Sequence, residues 1–263
     1  MNAIILAAGE GKRLRSLTKN KPKCMIKLFG KSLLEWQIQN FLACKISDIS
    51  IVTGYLGYKI KFSNINYFEN SRYNLTNMVE TLFCAKEKLM SSTIVSYGDI
   101  IYEKKVLKKL INATDELSVT VDLNWKKYWK MRFKDPLEDA ESLMIDSEGY
   151  IKDIGQKTKK IKEIQGQYIG LMKFQNSGIE FLKDFYKKAK AKSKKGVNLL
   201  NPSIPFEQSY MTDLLQALIK EGCKIKAVPI KNGWLELDSF NDYQLYQDKY
   251  NTNTISQFIK LDK

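Results

Sequence analysis

The chain has 263 residues, of which 44% are hydrophobic and 27% charged, with a formal net charge of +14 and no histidine. That length suits one sizeable α/β domain with room for an inserted subdomain, and the missing histidine excludes a Ser-His-Asp triad or a His-rich zinc site. No apolar run reaches the roughly 18 residues of a membrane span; the chain opens directly on a strand pattern rather than a signal peptide, and four scattered cysteines without a Cys-x-x-Cys pair fit reduced, mostly buried thiols of a cytoplasmic protein.

Residues 2–6 read as a buried strand that empties into Ala7-Ala8-Gly9-Glu10-Gly11-Lys12-Arg13-Leu14. Gly9 and Gly11 have no Cβ to clash, so backbone N–H groups can come close to a polyanion there. Arg13 and Lys23 add fixed positive charge on the same edge, the layout of a nucleoside triphosphate site. Gly-x-Gly alone equally suits an ordinary turn. The dinucleotide fingerprint wants a small residue where Leu14 stands, and no Gly-Lys-Ser/Thr follows.

Next come an apolar-faced helix over 33–43, strands at 50–53 and 65–68, and a helix over 77–89 opened by an Asn77/Glu80 capping box. Strands at 93–97 and 118–122 flank a helix over 104–110. This alternation predicts a mainly parallel sheet with helices on both faces. Ligands then bind beyond the carboxyl ends of the strands, where the opening loop and Asp99 fall.

From about Trp125 to Phe174 aromatic and charged residues crowd together, followed by short amphipathic strands at 143–146, 151–155 and 168–174. This stretch reads as a smaller β-rich portion whose strands partly join the main sheet. A Ser177/Glu180 capping box should open a helix to about Lys190, a further helix covers 211–220 and ends at Gly222, and a strand returns over 224–230. The lysine run from Lys183 to Lys195 raises a rival reading, a nucleic-acid-binding protein. Lysine predominates over arginine there and no aromatic platform or zinc spacing accompanies it, so a solvated helix end is expected and no nucleic-acid partner.

The joint pattern Leu6-Ala7-Ala8-Gly9-x-Gly11-x-Arg13-Leu14, then Leu17-Thr18, then Pro22-Lys23-x-Met25 resembles the signature of nucleotidyltransferases that make activated sugars and activated phospho-alcohols. Asn70-Ser71-x-Tyr73-x-x-x-Asn77-Met78 stands where thymidylyl-type enzymes carry a Gln-Pro-x-Gly-like motif. It is similar to the compact cytidylyltransferases that activate phosphocholine, 2-aminoethylphosphonate or phosphoglutamine. The resemblance implies an α/β, Rossmann-like, GT-A-type fold: a mixed, mostly parallel sheet flanked by helices, with a smaller β-rich acceptor-binding portion. It implies one domain over 1–263, with a nucleotide-binding half at 1–123 and an acceptor-binding, metal-completing half at 124–263, and it makes a homodimer plausible.

The same resemblance implies CTP, Mg²⁺ and a small phosphate or phosphonate acceptor as partners, with pyrophosphate released and the product used to decorate a surface polysaccharide or lipid. Arg13 and Lys23 would be catalytic. Leu6, Ala7, Ala8, Gly9 and Gly11 would contact the nucleotide, with Gly54, Tyr55, Thr76, Asn77 and Met78 completing the base pocket. Asp99, at the carboxyl end of its strand, and Asp238 would hold the metal; Glu236 shares the extended face of Asp238, and the resemblance favours Asp238. Trp129, Arg132, Glu138, Asp139, Lys157 and Tyr168 offer aromatic faces, cations and carboxylates to an acceptor with an anionic phosphorus end and a cationic amine end. A sugar-1-phosphate nucleotidyltransferase is the alternative, and the identity of the acceptor stays open at this point.

Overall fold

Strand β1 (Asn2–Ala7) is buried along its whole length, with Ala3, Ile5 and Ala7 in one hydrophobic cluster and Ile4 and Leu6 in another. A strand apolar on both faces needs cover on both, and the rest of the chain supplies it. The computed structural model describes residues 1–261. After β1 come a short hairpin of β2 (Lys27–Leu28) and β3 (Lys31–Ser32), helix α1 (Leu33–Ala43), β4 (Ile49–Thr53), β5 (Asn66–Glu69) and α2 (Met78–Cys84). They are followed by β6 (Ser92–Tyr97), β7 (Ile100–Tyr102), α3 (Lys104–Ile111), β8 (Leu117–Asp122) and α4 (Trp125–Arg132). The chain continues through β9 (Glu141–Ile145), β10 (Ile151–Lys157), β11 (Gln167–Gln175), α5 (Ser177–Ser193) and α6 (Met211–Lys220). The last elements are β12 (Ile225–Ile230), β13 (Trp234–Glu236) and α7 (Phe240–Asn251).

Seven strands form the central sheet in the order β12-β8-β11-β6-β1-β4-β5. All neighbours are parallel except β11, which runs antiparallel to both β6 and β8. Side chains of α1, α3, α4 and α7 cover one face, and those of α2, α5 and α6 the other. The mostly parallel sheet with two helical layers agrees with the expectation from sequence. The strands β9 and β10 pair with each other outside that sheet, while β11 joins it, so the smaller portion is only partly separate.

Four local readings are corrected. Residues 125–132 form a helix, not part of a β-rich stretch: Trp125, Tyr128 and Trp129 fall on one buried helical face. Asn77 does cap α2, accepting from the Met78 N–H at 2.9 Å, but Glu80 does not close the box; its carboxylate turns outward to Lys190 and Tyr186. That helix ends at Cys84, with a separate 3-10 turn over Lys86–Lys88. The Ser177/Glu180 box is also absent, because Ser177 hydrogen-bonds Glu116 and Glu180 pairs with Lys183, and the helix runs on to Ser193. Of the four thiols, only that of Cys24 is fully buried, and all four are free.

The ends of β1 and β6 press together where the chain turns toward Asp99. A Cβ on Gly98 would lie 2.7 Å from the Leu6 carbonyl oxygen and 3.1 Å from Ala7 Cα, both backbone atoms with no freedom to yield. Gly98→Ala should therefore force the two strand ends apart. We expect a loss of about 2 kcal/mol and a Tm lower by about 5 °C in thermal unfolding.

Candidate active site

The carboxyl ends of three parallel strands, β1, β5 and β6, and the loops that follow them build one side of the site. Leu6, Ala7, Ala8 and Gly9 at the end of β1, Gly98 and Asp99 after β6, and Tyr73, Thr76, Asn77, Met78 and Thr81 around the start of α2 line a recess of about 120 Å³. Asn70 holds the 70–77 loop in shape: its side chain, almost fully buried, donates to the hydroxyls of Thr76 and Thr81 at 2.8 and 3.0 Å and accepts from the Arg72 N–H. Behind Asp99, the buried Gln37 of α1 donates to the carbonyls of Tyr97 and Ile100 at 2.9 and 2.8 Å and accepts from the Ser96 hydroxyl. That one amide pins both sides of the turn that carries Asp99.

The second half of the charge cluster arrives from far along the chain. Strand β13 runs antiparallel to β7, pairing Glu236 with Ile100, and the Leu237 N–H donates to the Asp99 carbonyl at 2.9 Å. This register brings oxygens of Asp99, Glu236 and Asp238 within 4.8 Å of one another. Lys23 Nζ bridges Asp99 Oδ2 and Asp238 Oδ1, at 2.7 Å from each. Burial alone would lower the pKa of its ammonium, but the two facing carboxylates outweigh burial and raise it. Burial likewise opposes ionisation of Asp238, yet Lys23 and Arg13 hold its carboxyl below the ordinary value. Glu236 goes the other way, raised by burial and by the adjacent Asp238. Asp99 Oδ1 is buried without a hydrogen-bond partner among the described residues. Three clustered carboxylates with an unsatisfied oxygen are the donor set a hard divalent cation takes, so these residues fit such a metal.

Beside the cluster opens a larger pocket of about 860 Å³, lined by Arg13, Met78, Tyr97, Trp129, Lys157, Tyr168 and Tyr210 and by the carboxylates of Asp139, Glu141, Asp213, Glu236 and Asp238. Met78 and Tyr97 border both recesses. Arg13 reaches Asp238 at 3.2 Å from an otherwise exposed position. Trp129 donates its indole N–H to Asp139 at 3.0 Å, which fixes that carboxylate on the wall. Glu141 opens onto the pocket from an exposed position, and its carboxyl is pushed up to about 7 by partial desolvation of the acid group in the pocket and by the neighbouring Asp139 and Asp213.

A family model for the MobA-like NTP transferase domain matches residues 3–131. Over 260 residues the chain is 40% identical to a CTP:phosphoglutamine cytidylyltransferase of Campylobacter jejuni, covering 95% of this chain and 100% of that protein. The chain belongs to the cytidylyltransferase family of nucleotidyltransferases. A choline-phosphate cytidylyltransferase of Streptococcus pneumoniae is 33% identical over 118 residues, 43% of this chain and 52% of that protein. The solved CTP:phosphocholine cytidylyltransferase of Streptococcus pneumoniae superposes with a TM-score of 0.71 at 22% identity, covering 95% of this chain and 98% of that one, and so shares the fold.

Within this cytidylyltransferase the structure brings together Lys23, Asp99 and Asp238 as expected, and lines the smaller recess with Leu6, Ala7, Ala8, Gly9, Thr76, Asn77 and Met78. Tyr55 does not line it; its N–H donates to the Ala8 carbonyl at 3.0 Å and its hydroxyl to Thr18, so with Gly54 it braces the loop from behind. Gly11 likewise stands back, packed against the Lys23 stem. Trp129, Asp139, Lys157 and Tyr168 line the larger pocket. Two assignments there are corrected. The Arg132 side chain is 1% exposed and is consumed by Asp242, bidentately at 2.9 and 3.2 Å, and by Glu236 at 3.0 Å, leaving nothing to offer a ligand. Glu138 is exposed on the turn Pro136–Glu138 and lies outside the pocket wall. Glu141, Asp213, Gln37 and Glu236 take parts that no contiguous motif announces.

Arg132 is thus a positioning residue that holds Glu236 on β13 and Asp242 on α7 together. Arg132→Met would leave two carboxylates without their cation, a loss of about 3–5 kcal/mol. We expect Tm to fall by about 10 °C, with Arg132→Lys recovering only part because an ammonium cannot span both partners in a planar fork.

Proposed function

We propose that this enzyme transfers CMP from CTP to the phosphate or phosphonate of a small amine-bearing acceptor of the phosphoglutamine, phosphocholine or 2-aminoethylphosphonate type, with Mg²⁺ and release of pyrophosphate. The observation that carries the reading is the meeting of two pockets at one charge cluster: a small recess rimmed by backbone and Lys23, and a larger one whose walls carry both cations and carboxylates. The full-length similarity to a CTP:phosphoglutamine cytidylyltransferase supports the choice of nucleotide and acceptor class.

In this reaction an acceptor oxygen forms a bond to the α-phosphorus while the bond to the bridging oxygen breaks, and pyrophosphate carries off the electron pair. The nucleophile is already anionic at neutral pH, so no general base is needed and a chain without histidine suffices. The barrier is the approach of an anion to a polyanion. Lys23 faces the phosphates, and Arg13, on the acceptor side, meets the incoming phosphate. Asp99 and Asp238, with Glu236 beside them, would hold the Mg²⁺, which when bound offsets the negative charge of the triphosphate. Asp139, Glu141 and Asp213, which line the same pocket, suit the acceptor's amine.

The reading is tested by pyrophosphate release with Mg²⁺, crossing the four nucleoside triphosphates with phosphoglutamine, phosphocholine, 2-aminoethylphosphonate and several sugar 1-phosphates. Turnover is expected with CTP and a phospho-amine; turnover confined to a sugar phosphate would sink the acceptor assignment. Lys23→Ala should lower kcat by about 10²–10³-fold, since a cation at the reacting phosphates acts mainly in the transition state.

A pH dependence follows from Glu141. Its carboxyl value near 7 lies above the ordinary one, so the stability tied to its neutral form holds in acid and is lost as pH rises through about 7. Ionised, it attracts an ammonium. The acceptor KM should therefore fall between pH 6 and 8, and Glu141→Gln should flatten that fall beyond what ionisation of the acceptor's own phosphate leaves.

A further inference from the structure

We propose that Lys23 is a place-holder for the metal: its ammonium stands between Asp99 and Asp238 until a triphosphate draws it away, which makes metal binding conditional on nucleotide. The inference rests on the Mg²⁺- and CTP-dependent reading above.

Lys23 Nζ lies 2.7 Å from Asp99 Oδ2 and 2.7 Å from Asp238 Oδ1, and these two residues belong to the only group of three carboxylates among the described residues placed to share a metal ion. A magnesium ion needs carboxylate oxygens at about 2.0–2.1 Å. An ammonium already bridging the same two oxygens fills that gap, and its charge repels a second cation beside it. The Lys23 side chain is 13% exposed, so the position is not one that water can easily take over. Two cations cannot share it. Binding of the metal is an exchange in which Lys23 must leave.

The surrounding chain gives Lys23 somewhere to go. Its stem lies along Gly11, where an added Cβ would sit 3.0 Å from Lys23 Cβ and 3.2 Å from its Cγ and Cδ, at a residue with φ of 69° that favours glycine. The same side chain borders the recess formed by Ala8 and Gly9. A triphosphate seated there offers the ammonium new anionic partners and so frees the carboxylates. Arg13, reaching Asp238 from a mostly exposed position, remains to balance that residue. Metal and nucleotide must then raise each other's affinity by the same factor. With Lys23 absent, the part of that linkage due to the exchange disappears, and only the direct attraction of metal and triphosphate remains.

The test is equilibrium binding of Mn²⁺, counted by electron paramagnetic resonance, to the full chain with and without CTP. Without nucleotide, Lys23→Met should bind Mn²⁺ about tenfold or more tightly than the wild type, a factor typical of coupling between sites. Adding CTP should tighten binding in both, and by a factor about tenfold larger in the wild type than in the variant. Lys23→Gln, which keeps hydrogen-bond donors but no charge, should behave as Lys23→Met does and serves if the methionine variant fails to fold. Adding Asp99→Asn to either variant should remove the gain, placing it at this site. If wild type with CTP binds Mn²⁺ but the Lys23 variants alone bind it no tighter than wild type alone, the place-holder role is wrong and the metal-dependent reading stands. If no form binds Mn²⁺ even with CTP, both fall together.

Discussion

Three carboxylates held within 4.8 Å of one another are the constraint around which this molecule is arranged. At that spacing each ionised pair repels by on the order of 3 kcal/mol at an effective dielectric near 20. Such a cluster persists only if cations are brought to it, and they come from widely separated parts of the chain. Lys23 arrives from the loop after β1, Arg13 from the 3-10 segment ahead of it, and Arg132 from the end of α4. Each cation ties a different element to the same point. Arg132 also reaches Asp242, which caps its own helix through Ser239, so α7 is drawn in as well. The shifts follow the same geometry: Asp238, facing Lys23 and Arg13, is held low, while Glu236, recessed and next to Asp238, is held high.

The sheet makes this convergence possible. Parallel strands β1, β4, β5 and β6 deliver their following loops to one edge, which is why the opening loop, the 70–77 loop and Asp99 meet there. The antiparallel strand β11 then carries Gln167 and Tyr168 to the same side, and β13 is locked against β7 immediately after the Asp99 turn. Pinning at the back is done by uncharged groups. Gln37 and Asn70 are both buried amides whose hydrogen bonds brace the turns that carry site residues, Gln37 across the two strand ends flanking Asp99 and Asn70 between the 70–77 loop and α2. A buried amide left unsatisfied is costly, so these turns resist displacement.

What could be read without coordinates divides along the range of the interactions. The span Leu33–Ala43 and the span Met211–Lys220 coincide with α1 and α6, because apolar periodicity and a glycine stop are local signals. The contiguous run from Leu6 to Lys23 likewise places its own residues. Residues 125–132 are legible only as aromatic and basic: Trp and Tyr are enriched in strands, so composition alone misplaces α4, whose three aromatics are buried on one helical face. Neither capping box forms, because a lysine takes each acid: Lys190 of α5 reaches Glu80 from far along the chain, and Lys183 takes Glu180 within the same helix while Glu116 takes the Ser177 hydroxyl. Arg132 was visible as a cation near acids, but whether a cation faces a ligand or a partner carboxylate depends on burial, which long-range packing decides. The same holds for Glu141 and Asp213, which face each other's pocket from β9 and α6 and share no motif.

The chain as a whole is strongly positive while the site mixes cations with carboxylates, and on the proposed reading both are useful. A net +14 raises the local concentration of a polyanion such as a nucleoside triphosphate, without discriminating among anions. In the larger pocket Asp139, Asp213 and Asp238, joined by Glu141 once it ionises, would disfavour a purely anionic acceptor unless its phosphate is met by Arg13 and Lys157. An acceptor carrying an amine at its other end reverses that repulsion. On that reading selection would come from the mismatch between field and pocket: the surface gathers anions, and the acidic wall favours those with a positive end. Lys23 bridges Asp99 of the smaller recess and Asp238 of the larger pocket, an ammonium among carboxylates where the two meet.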